Sequence, residues 1–134
     1  MGQGHFLHLL HQLQSVSKLQ IFTAAKIYKI KHIGNQDYLV LGAKSASIIS
    51  LNKADEIVIK TQEKHFNDWL WDFCRIGDYF YFLTAHNRVI CTELNLEFIS
   101  NISCQEKCIL YSGTLVNSQL NEVTILAGSV FSQV

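Results

Sequence analysis

The side chains able to do chemistry are few and loosely spaced. His65, Asp68 and Asp72 lie within eight residues of one another and offer an imidazole and two carboxylates, the elements of an acid–base set. No nucleophile or glycine-rich loop accompanies them. The residues read instead as loop groups that tie a turn to a neighbouring strand by hydrogen bonds. Cys104 and Cys108 have ligand spacing, but a structural zinc site needs four ligands, and Cys74 and Cys91 fall in separate strands. The cysteines therefore read as free thiols of a reducing compartment, with no metal site and no cofactor. His5, His8 and His11 recur at steps of three, yet on a strand His8 faces away from the other two. Gly2-Gln-Gly4 is too short for a phosphate loop and reads as a turn.

Charge is distributed unevenly. The 134 residues carry Lys+Arg 11 against Asp+Glu 11, which gives no global basic footprint for nucleic acid. Residues 1–36 nevertheless hold Lys18, Lys26, Lys29 and Lys31 and no acidic residue. Lys29 and Lys31 share one face of an expected strand, where they could meet phosphates or simply be solvated.

Short strands must position these groups. Tyr38–Leu41, Ile57–Ile59, Tyr79–Leu83, Val89–Ile90 and Val123–Leu126 are brief runs of β-branched, aromatic and other apolar residues, bounded by Gly, Asn, Asp or Ser. At 49% hydrophobic and zero net charge, the chain can build a core and lacks the signature of disorder. Its longest apolar runs are about five residues, against the roughly twenty that a membrane helix needs.

A repeat organises the strands. Leu41-Gly-Ala-Lys-Ser-Ala-Ser-Ile48, Leu83-Thr-Ala-His-Asn-Arg-Val-Ile90 and Leu126-Ala-Gly-Ser-Val-Phe-Ser-Gln133 each read as a strand end, a turn of small residues and a new strand. Their starts are 42 and 43 residues apart, the length of a four-stranded β-propeller blade. The expected fold is all-β, an incomplete set of WD40-type propeller blades. Residues 1–25 would end a first blade, with strands near His5–Leu10 and Leu19–Phe22. Residues 26–64 form a second blade, 65–103 a third, and 104–134 the start of a fourth, so the chain reads as part of a longer protein. Trp69 and Trp71 are expected on one face, sealing a contact between blades. Trp71-Asp72 falls in a first strand, not at the close of a third.

The stretch His65-Phe-Asn-Asp-Trp-Leu-Trp-Asp72, followed by Leu83-Thr-Ala-His-Asn-Arg-Val89, resembles the amino-terminal region of the WD repeat-containing protein 6 family. Gln20-Ile-Phe22, Lys26-Ile-Tyr28, Leu41–Lys44 and Glu122–Gly128 follow in the same order. The resemblance implies structural roles for His65, Asp68, Trp69, Trp71, Asp72, His86 and Asn87. It also implies a cytoplasmic, non-catalytic partner of an FtsJ-type methyltransferase that modifies the wobble ribose 2′-hydroxyl of tRNA. S-adenosylmethionine would be bound by that enzyme, and Lys26, Lys29 and Lys31 are the candidate tRNA contacts. A propeller scaffold for signalling or trafficking proteins, without an RNA role, is the alternative.

Overall fold

The computed structural model describes residues 26–103, 108–117 and 123–129. The expected strands at His5–Leu10 and Leu19–Phe22, and Cys104, lie outside them. Ten strands are described. β1 (Ile27–Gly34), β2 (Asp37–Gly42), β3 (Ser45–Leu51) and β4 (Ile57–His65) form one antiparallel sheet in that order. β5 (Leu70–Ile76), β6 (Tyr79–Thr84), β7 (Arg88–Glu93) and β8 (Phe98–Ser103) form a second, and β9 (Leu110–Asn117) pairs with β10 (Val123–Ser129). The fold is all-β: two four-stranded antiparallel sheets resemble propeller blades, and the described residues do not close a ring.

Strand alternation explains how the sheets stack. In β6, Phe80 and Phe82 point one way and Tyr81 and Leu83 the other, because successive side chains leave opposite faces of a strand. Phe80 and Phe82 join Leu39, Leu41, Ala46, Ile48, Leu70 and Phe73 in the core between the first two sheets. The rings of Phe66, Phe73, Phe80 and Phe82 pack there at centroid separations of 5.1–6.2 Å. Each fully buried phenylalanine contributes roughly 1.5–3 kcal/mol. Leu83 and Tyr81 instead meet Leu110, Leu115, Ile125 and Ala127 between the second and third sheets. Gly113 belongs to this second junction: a Cβ there would lie 2.5 Å from Leu83 Cδ2.

Each first strand carries a bulge near its start. Tyr28, Trp71 and Tyr111 have no cross-strand partner, while their neighbours pair on both sides. The extra residue shifts the alternation, so Leu70 and Phe73 both reach the first junction although an odd number of steps separates them.

Two expectations need correction. The rings of Trp69 and Trp71 do lie together, with centroids 6.4 Å apart, but Trp69 precedes β5 and is 41% exposed. Trp71 is the one that packs into the junction with β9, where its indole Nε1–H donates to Leu110 O at 3.0 Å. The third repeat is also displaced. β2 and β6 end one residue after Leu41 and Leu83, but β10 continues three residues past Leu126, to Ser129. Leu110 and Ser112 in β9 offer Ser129 and Gly128 backbone partners, so the small residues extend the ladder where a turn was expected.

Candidate functional site

Two buried aspartates, four residues apart in the chain, organise the surroundings of β5. Asp72 is fully buried at the start of that strand. Lys31 Nζ donates to its Oδ1 at 2.6 Å and Lys29 Nζ at 3.2 Å, both from β1. Its Oδ2 accepts from Thr114 Oγ1 at 2.5 Å and from Leu115 N at 2.8 Å, both in β9. One carboxylate thus joins the first strands of three consecutive sheets. Burial alone pushes its pKa up. The bonds from Lys31, Thr114, Leu115 N and Phe73 N outweigh that and bring it from 3.8 to about 2.

Asp68 lies in the connection between β4 and β5 and serves the β6–β7 turn. Its Oδ1 accepts from Trp69 N at 2.8 Å and from His86 Nδ1 at 2.7 Å. Its Oδ2 accepts from His86 N at 3.2 Å and Arg88 Nη2 at 3.1 Å. Here too burial raises the pKa, and the bonds from His86, Thr84, Arg88 and Trp69 N lower it to about 2. An ionised carboxylate only accepts, so His86 Nδ1 carries a proton and donates.

Backbone bonds fix the rim around Asp68. Leu70 N donates to Ala43 O of the preceding sheet's turn at 2.8 Å, and Leu110 N donates to Ala85 O at 2.7 Å, the same link one sheet later. Ala85 N donates to Trp69 O at 2.9 Å, so Trp69 is held through both its N–H and its carbonyl. Its indole stays at the surface, with Lys44 Nζ 5.9 Å from the ring centroid.

The residues singled out from sequence are distributed as follows. Lys29 and Lys31 do share a face, and that face meets Asp72. Lys26 is exposed. His65 does not assemble with Asp68 and Asp72; its Nδ1 lies 3.3 Å from Ser45 Oγ, and the histidine on Asp68 is His86. Asn87 occupies the β6–β7 turn with φ 57° and donates through Nδ2 to Cys108 Sγ at 3.5 Å. Cys74 is half-buried, and its thiol is pushed up by burial and then by the Asp72 charge. Among the described residues, no three His, Cys, Asp or Glu side chains gather to hold a metal. A cleft of about 380 Å³ opens beside Asp68, lined by Lys64, His65, Phe66, Arg88, Phe98 and Asn101 among others.

The sequence reading missed the Lys29/Lys31–Asp72 lock and the Lys44–Trp69 contact. The first had a signal: Lys29 and Lys31 precede Asp72 by 43 and 41 residues, close to the repeat step. The second follows from Ala43-Lys44 and Trp69 meeting across the turn, which linear spacing does not reveal.

The fold and these links define a class, tandem blade-like sheets joined through their first strands and turns. Neither a protein-family model nor a curated protein matches the chain.

Proposed function

We propose that this chain is a WD-repeat propeller segment that acts as the non-catalytic partner of an FtsJ-type methyltransferase. The reaction served is 2′-O-methylation of the wobble ribose in the tRNA anticodon loop. One observation carries the reading: the two segments on which the family resemblance rests, 65–72 and 83–89, meet in space. They do so through Asp68, His86 and Arg88. A scaffold of this kind raises a partner's rate by orienting a large substrate, without a reacting group of its own. The methyltransferase would bind S-adenosylmethionine. Lys26, exposed ahead of β1, is the tRNA-contact candidate left outside the Asp72 lock.

Mass spectrometry of tRNA nucleosides from cells lacking the protein tests the proposal. Wobble ribose methylation should fall while the methyltransferase remains present; unchanged methylation removes the role. A signalling or trafficking scaffold is the second reading, favoured by β8, where Phe98, Ile99 and Ile102 are exposed on an outer strand. Exposed apolar strands of this sort suit protein partners.

A further inference from the structure

We propose that Trp69, Lys44 and His86 form a stacking site for an unpaired nucleobase of single-stranded RNA. The inference deepens the proposed tRNA role and rests on it for its biological setting.

Three features bring the site together. The first is a large aromatic at the surface whose backbone is pinned on both sides, by Asp68 to its N–H and by Ala85 to its carbonyl. The ring itself packs against Trp71 at a centroid separation of 6.4 Å, so it loses little freedom on binding. The second is Lys44, whose ammonium stands 5.9 Å from that ring's centroid and offers charge to a phosphate beside a stacked base. The third is His86. One oxygen, Asp68 Oδ1, accepts from both Trp69 N and His86 Nδ1, which places the imidazole beside the tryptophan backbone. With Nδ1 committed to Asp68, Nε2 is the ring nitrogen left to hydrogen-bond a ribose 2′-hydroxyl or a base edge. The His86 side chain is 58% exposed.

Charge favours a nucleotide over a peptide. The adjoining carboxylate is buried and consumed by its own hydrogen bonds, so the groups facing solvent are a cation, a ring and an imidazole. A lysine or arginine from a peptide would meet Lys44 at the same indole, whereas a phosphodiester is attracted to it.

The experiment is fluorescence anisotropy of the protein with a labelled single-stranded oligoadenylate RNA, and with the same strand annealed to its complement. The protein should prefer the single strand. Trp69→Ala should weaken that binding about tenfold, within the range for loss of one base stack, at an unchanged melting midpoint. Trp69→Phe should retain most of the affinity. Lys44→Glu should weaken binding and reduce the salt slope by about one unit. Undiminished binding by Trp69→Ala, or a preference for the duplex, overturns the site. The assay uses neither the enzyme nor cellular tRNA, so it separates the two proposals. A Trp69-dependent oligoadenylate complex alongside unchanged wobble methylation in deleted cells would uphold the site and remove the tRNA role.

Discussion

Asp72 and Asp68 share a residue type, near-complete burial and a pKa lowered to about 2, yet their partners differ in kind. Asp72 takes its donors from β1 and β9 and so holds three sheets against one another. Asp68 takes its donors from its own connection, the β6–β7 turn and the first residue of β7, and leaves a tryptophan and a histidine at the surface. The same carboxylate chemistry serves cohesion between sheets in one case and presentation of surface groups in the other. Position in the blade, not the aspartate itself, decides which.

Removing each carboxylate tests that contrast most directly. Asp72→Ala strands two lysines and the buried Leu115 N–H, and should cost about 3 kcal/mol in urea unfolding. Asp68→Ala should cost about 1–2 kcal/mol, because the largely exposed His86 ring can turn to water. Equal losses would mean that Asp68 also carries cohesion between sheets. Acid sharpens the comparison next. Both folded pKa values lie below the ordinary 3.8, so each contribution is full above about pH 4 and fades as pH falls toward 2. Each is on the order of 2 kcal/mol. Asp72→Asn should flatten its part of that dependence in pH-resolved unfolding, leaving the part due to Asp68.

Gly113→Ala probes the second junction without touching either carboxylate. Overpacking against Leu83 should cost about 1–2 kcal/mol, and pairing the change with Leu83→Ala should show less than additive loss. The smallest effect belongs to the exposed Lys64–Glu97 pair at 2.7 Å. Lys64→Ala should lower the unfolding free energy from urea titration by under about 1 kcal/mol, and less in high salt.

Much of the sheet structure is legible from residue types. Turn residues bracket apolar runs, and the repeat step separates corresponding strands. β8 is less so, because all six of its residues are exposed and no apolar alternation marks it. The displaced third repeat shows a different limit: Leu126-Ala-Gly has the composition of a turn, but the length of β9 decides where pairing stops. The Asp68 side of the site was legible as loop hydrogen bonding, though the partner is His86 and not His65. Simple alternation puts Trp69 beside Trp71, and their rings do meet at 6.4 Å, but Trp69 stands ahead of the strand and stays exposed instead of sealing the junction. Lys29 and Lys31 were read along their own strand; their partner lies across one blade.

The unpaired aromatics at 28, 71 and 111 also decide where chain length can change. Loss of one residue at Trp71 would straighten the ladder and turn Leu70 out of the aromatic core, carrying the start of β5 onto the wrong face. One residue more or less in the exposed connection between β3 and β4, residues 52–56, would alter only an outer hairpin, whereas the β7–β8 connection sends Leu96 into the core. Insertions and deletions inherited along this chain are therefore expected at the outer turns, with the first strands kept at constant count.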